Sequence, residues 1–134
     1  MENYAALIEA AKKKYPDYDF FLIPDTLVAH EAAKTFSTCR IMMTTTGSSC
    51  NNIMYMADKT CIIKLVGPIV DVSNIVVPIS IEIYQINIYY PGLLHYKPTI
   101  THVNINEALK AIDLAFYVTE HHKWPQIAEF NYFI

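Results

Sequence analysis

The chain is short of charge, glycine and cysteine, and these shortages remove whole classes of function. Only 17% of its 134 residues are charged, against about 25% in an average soluble domain. Ten Lys and Arg against thirteen Asp and Glu leave a net charge of −3. No basic stripe exists to displace counterions from nucleic-acid phosphates, so nucleic acid is not an expected partner. The one basic run, Lys12-Lys13-Lys14, falls at the end of an expected helix, where cations offset the helix dipole. Cys39, Cys50 and Cys61 are odd in number and form no CxxC pair, which argues against a disulfide framework and a zinc site. No apolar run reaches the roughly 18 residues that cross a bilayer, and no basic region followed by an apolar stretch opens the chain. Asn-x-Ser/Thr acceptors are missing as well. The expectation is a cytoplasmic protein in a reducing setting, with no membrane span and no metal or cofactor.

What the chain has instead is apolar mass: 53% of its residues are hydrophobic, and ten are tyrosine. Two readings stay open. Either part of the surface is covered by another copy or a partner subunit, or the core is large and the surface ordinary. The length fits one domain, residues 1–134, able to bury most of its apolar surface.

The order of elements is the informative pattern. Asn3 opens a first helix that buries Leu7, Ile8 and Ala11 and stops at Pro16. Phe20-Phe21-Leu22-Ile23 reads as a strand buried on both faces of a parallel sheet. A second helix, capped by Asp25 or Thr26, would bury Leu27, Ala32, Ala33 and Phe36. Ile41-Met42-Met43 forms the next strand, a helix from about Ser48 to Ala57 follows, and Cys61 to Leu65 makes a third strand closed by Gly67-Pro68. Such alternation defines an α/β fold of the Rossmann-like kind, a short, mostly parallel sheet flanked by helices. Ligands in such folds bind where strand C-terminal ends meet helix N-termini.

Residues 79 to 85 read two ways. Ile79, Ile81 and Ile83 alternate as in a strand, yet Ile86 and Ile88 lie on the opposite parity, and Pro78 suits a helix start as well as a strand start. Residues 86 to 90 read as strand. A last helix runs from Ile105 to about Thr119, with Asn104 and Glu107 spaced as a capping box and Leu109, Ile112 and Phe116 as its buried stripe. The aromatic tail after Trp124-Pro125 is expected to dock on the body.

Thr44-Thr45-Thr46-Gly47-Ser48-Ser49 lies between a buried strand and a helix. The first turn of a helix leaves N–H groups without intrahelical partners, and aligned peptide dipoles place partial positive charge there. Gly47 lets a ligand approach the backbone, and the flanking hydroxyls add donors, which together suit a diphosphate. The dipole supplies about 0.3–1 kcal/mol, up to about 2 when sheltered, whereas millimolar binding requires about 4 kcal/mol. Most of the affinity must therefore come from hydrogen bonds and from contacts to the rest of the ligand.

The stretch Leu27 to Leu65 resembles the C-terminal region of glycosyltransferase family 61. The resemblance rests on a strand ending at Pro24, a helix from Leu27 to Phe36 carrying Glu31, and Ile41-Met42-Met43. It continues through Thr46-Gly47-Ser48-Ser49, Asn52, Ile53-Met54-Tyr55-Met56 and Cys61 to Leu65. It implies the nucleotide-sugar-binding half of a GT-B type fold, with a UDP- or GDP-sugar as ligand and a glycan or protein as acceptor. By the same analogy Thr45, Thr46, Gly47, Ser48 and Ser49 would face the donor diphosphate, and Asn52 would brace the turn or touch the donor. Glu31 would lie near the ribose or sugar, the weak candidate for a catalytic group, and transfer would need no metal. Many family members carry histidine in the glycine turn, and here there is none; the family's N-terminal half also has no counterpart. A non-catalytic subunit or fragment that dimerises, or pairs with an acceptor-binding chain, is therefore the alternative.

Other motifs read more simply. Asp17-Tyr18-Asp19 has the Asp-x-Asp spacing of metal-dependent transferases but precedes a strand instead of following one, and reads as a solvated turn. Adjacent His30 and Glu31 point about 100° apart on a helix. His121-His122 follows Glu120 at a helix end, His95 and His102 have no partner in sequence, and Cys50 reads as a small buried residue.

Overall fold

A computed structural model describes residues 3–24, 26–68, 72–90 and 102–126. Its centre is a three-stranded, all-parallel sheet in the order β1-β2-β3, made of β1 (Ile41–Thr45), β2 (Cys61–Val66) and β3 (Tyr84–Tyr89). Cys61, Ile62, Ile63, Lys64 and Leu65 are all buried, because β2 has a strand on each side and helices on both faces. Alternation along β2 divides the core. Cys61 and Ile63 pack with α1 (Tyr4–Lys14) and α4 (Ile105–His121), and Ile62 packs with α2 (Ala29–Phe36), the 3₁₀ helix Ser48–Tyr55 and α3 (Ser73–Ser80).

This is the expected α/β sheet flanked by helices, with four differences. Phe20 to Ile23 does not form a strand. Phe20 packs on the α1/α4 side and Ile23 on the α2 side, while Phe21 and Leu22 are exposed. A continuous apolar run cannot by itself supply the ladder of hydrogen bonds that defines a strand, and β1 forms its ladder with β2 alone.

α2 begins later than expected. Its N-cap is Val28, so Thr26 and Leu27 precede the helix, and Asp25 lies outside the described residues. Ala32 and Phe36 are buried as the pattern requires.

The helix after Gly47 is a 3₁₀ helix ending at Tyr55 in place of an α-helix reaching Ala57. The fourth difference resolves residues 79 to 85. Ile79 and Ser80 finish α3, Pro78 sits inside that helix, and β3 starts at Tyr84, two residues before the expected boundary. Glu82 takes a left-handed φ of 56°, which reverses the chain and produces the parity slip among the isoleucines.

α1 and α4 are bound together by specific polar contacts. Asn3 does not cap α1 with its side chain. Its amide instead donates to the Val103 carbonyl at 2.8 Å and accepts from the Val103 N–H at 2.9 Å. Lys14 pairs with Asp113, which also accepts from the Tyr15 hydroxyl at 2.6 Å. Burial first, then the hydrogen bond to Asp113 and its charge, push the Tyr15 phenol well above its ordinary pKa. Asn104 caps α4 by accepting from the Asn106 and Glu107 amides, and its own N–H donates to the Tyr90 hydroxyl. The capping box is therefore half formed. The tail after Trp124 continues into residues 127–134, outside those described.

Two outcomes are expected. Asn3→Ala removes both bonds to Val103, which is buried; it should cost about 1–3 kcal/mol in denaturant unfolding, with Asn3→Asp falling between the variant and the parent. Burial also pushes the Cys61 thiol up to about 12. The folded state then holds a proton that the unfolded thiol releases near pH 9, so stability is retained below that pH and falls as pH rises toward 12. Cys61→Val should flatten part of this alkaline slope in thermal melts across pH.

Candidate functional site

The Gly47 turn leaves the C-terminal end of β1 and enters the 3₁₀ helix. Gly47 has φ 148° and ψ −169°, a region open essentially to glycine. A β-carbon there would meet no atom within 4 Å. Glycine is thus needed for the backbone path, and the space above it is open.

The turn is held from below. The Thr46 N–H donates to the Leu65 carbonyl at 3.1 Å, and the Cys50 N–H to the Gly47 carbonyl at 3.0 Å. Thr45 presents its carbonyl to the Cys50 thiol at 3.4 Å and to the Thr44 hydroxyl at 3.2 Å. Thr44 Oγ1 also meets Ser49 Oγ at 3.2 Å. Among the described residues, the amides of Gly47, Ser48 and Ser49 have no hydrogen-bond acceptor. Ser48 is exposed, and Gly47 and Ser49 are half-buried. Three adjacent donors at the positive end of a helix, unpaired and reachable, can bind an anion.

Asn52 is half-buried in the same helix and makes no hydrogen bond to the turn. Glu31 is exposed in the first turn of α2, beside exposed His30. Cys50 is buried, as its small apolar role predicts. Asp17-Tyr18-Asp19 forms an exposed turn after α1, with the Tyr18 ring tilted against Phe116, 4.3 Å between centroids. His121 ends α4 and His122 caps it, and His95 lies outside the described residues. Among the described residues no group of three or more His, Cys, Asp or Glu side chains could hold a metal ion.

One residue near the turn was missed by pattern reading. Lys64 is 1% exposed in the central strand, although lysine is almost never fully buried without compensation. The strand register sets Thr44, Lys64 and Asn87 in one row across the sheet. Alternation from Ile62 puts that row on the face carrying the 3₁₀ helix. The signal was available as a lone lysine inside the apolar run Cys61 to Leu65. The register thus sets this lysine next to Thr44, whose hydroxyl meets Ser49 in the turn.

A parallel sheet with an open strand-to-helix turn at its C-terminal end places the chain in the Rossmann-like class of α/β domains. Residues 1–63 match the family model of glycosyltransferase 61, so over that stretch the chain is similar to that family. The match takes in α1, α2, β1 and the whole Gly47 turn and stops inside β2; it begins earlier than the resemblance read from Leu27 onward. No curated protein and no solved structure matches the chain. No described helix is long and apolar enough to cross a membrane.

Gly47→Ala should lower stability by about 1–3 kcal/mol through backbone strain alone, since nothing surrounds the added methyl. Thermal melting checks it, and a variant that melts with the parent would refute the turn conformation.

Proposed function

We propose that the Gly47 turn binds the diphosphate of a UDP- or GDP-sugar, and that residues 1–134 form the donor-binding domain of a glycosyltransferase of the GT-B type. The observation that carries this reading is the set of unpartnered amides on Gly47, Ser48 and Ser49, within the stretch that matches the family. In this reading those amides and the hydroxyls of Thr45, Thr46, Ser48 and Ser49 bind phosphate oxygens, with Asn52 on the sugar side. Lys64 offsets the ligand's charge from within the sheet. Leaving-group stabilisation by fixed dipoles and hydroxyls acts where charge develops as the sugar–phosphate bond breaks, and needs no metal. Glu31, in the first turn of α2, takes the role beside the sugar in this reading. The acceptor, a glycan or protein, would be presented by another domain or chain. A cytoplasmic setting belongs to the same proposal.

The exposed apolar surface supports a second reading, a non-catalytic subunit that dimerises or pairs with an acceptor-binding chain. Phe21 and Leu22 are exposed before α2, and Val76 and Ile79 on α3. The two readings separate in a thermal-shift panel of nucleotide sugars. Ligand at about 100 times its dissociation constant adds about 2.7 kcal/mol, a rise on the order of 10 °C for a domain of this size. The donor reading expects that rise with one nucleotide sugar, a smaller one with inorganic pyrophosphate, and a loss of about tenfold in affinity for Ser48→Ala with Ser49→Ala. Lys64→Met should weaken the same ligand. No shift with any nucleotide sugar would overturn donor binding and leave the subunit reading.

A further inference from the structure

A cleft of about 650 Å³ opens at the N-terminal ends of the strands, the end of the sheet opposite the Gly47 turn. It is lined by Lys59, Glu82, Tyr84, Gln85, His122 and Trp124, over an apolar floor from α3. Three observations converge on it.

First, the three non-glycine residues with positive φ among those described, Lys59 (60°), Glu82 (56°) and His122 (54°), all line this cleft. Glu82 and His122 follow or cap the ends of α3 and α4, where glycine is the usual choice. The chain accepts backbone strain there and places an acid and an imidazole at the opening. The Lys59 N–H donates to the Glu82 carbonyl at 2.9 Å, which ties the two backbone segments together.

Second, Gln85 Oε1 is buried and takes no hydrogen bond, while the amide nitrogen of the same side chain is held by Asn87 at 3.0 Å. A buried acceptor left unpaired calls for a donor from a ligand. Third, Trp124 is about half exposed and meets Tyr84 edge to face, 5.5 Å between centroids at 86°. That contact braces the indole and leaves it an aromatic wall of the cleft.

An aromatic wall, an unsatisfied amide acceptor, and one acid balanced by basic side chains suit a ligand that is neutral, presents C–H faces and carries many hydroxyl donors. We infer that this cleft binds a neutral saccharide, separate from the nucleotide site and independent of it. Lys59 and His122 beside Glu82 leave the lining with no dominant charge to attract a strongly ionic ligand.

Trp124 is the only tryptophan, so its emission reports on this cleft alone. Titrating the full chain with cellobiose, xylobiose and N,N′-diacetylchitobiose should give a saturable change in emission with at least one of them. Gln85→Leu and Glu82→Gln should each weaken that binding roughly tenfold, equivalent to about 1.4 kcal/mol, with nucleotide thermal shifts unchanged. Glu82→Gly should melt higher than the parent, by relief of its left-handed backbone, and still bind saccharide more weakly. A merely structural role for Glu82 would give the first effect without the second. The inference is overturned if no disaccharide changes the emission saturably at millimolar concentrations, or if the change survives these substitutions. It is also overturned if emission depends on protein concentration alone, which would place a second copy in the cleft.

Discussion

Burial of β2 on both faces and both edges is the constraint on which the rest of the architecture depends. A strand with no solvent-facing side must be apolar throughout, must have parallel neighbours to satisfy its backbone, and must have helices above and below. Cys61 to Leu65 meets the first requirement except at Lys64. β1 and β3 meet the second in continuous register, and the two helical layers meet the third. The exception then stands out. A cation in the most buried strand carries a desolvation cost of several kcal/mol unless its surroundings compensate, and it lies in the row with Thr44, next to the turn that exposes three amides.

The parts of the fold legible in the sequence were those where one local rule acts without competition. β2 was readable because its apolar run is bounded by turn residues. α4 was readable because the Asn104 cap and the spacing of Leu109, Ile112 and Phe116 agree on one helix, although Leu109 and Phe116 are half-buried and Ala108, Ala111 and Ala115 join Ile112 in the core. Reading failed where two local rules disagreed. Ile79, Ile81 and Ile83 have strand periodicity, yet α3 continues through Pro78 to Ser80 and the chain then turns at Glu82; no pattern of apolar residues announces a left-handed glutamate. Phe20 to Ile23 shows the converse, because apolarity on two faces was present without a hydrogen-bonded neighbour. For the candidate site, Gly47 with its serines was found from type and position alone. Lys64 could be placed beneath it only once the register was known.

Scarcity of glycine gives the two ends of the sheet different chemistry. At the C-terminal end Gly47 removes a side chain and bares the backbone, so the surface there consists of amides and hydroxyls. At the N-terminal end Lys59, Glu82 and His122 occupy left-handed positions with full side chains, so that surface is defined by charge and aromatic rings. The first arrangement suits phosphate oxygens, and the second suits a hydroxyl-rich surface.

The depth of the thiols has one more consequence. Cys39 is half-buried beyond α2, Cys50 is buried under the Gly47 turn, and Cys61 is buried in the central strand. Together they form a graded set of alkylation sites from the rim to the middle of the molecule. Labelling of the first follows local fraying, labelling of the second follows release of the Gly47 turn, and labelling of the third requires the sheet itself to part. The polypeptide therefore contains its own register of how far it has opened.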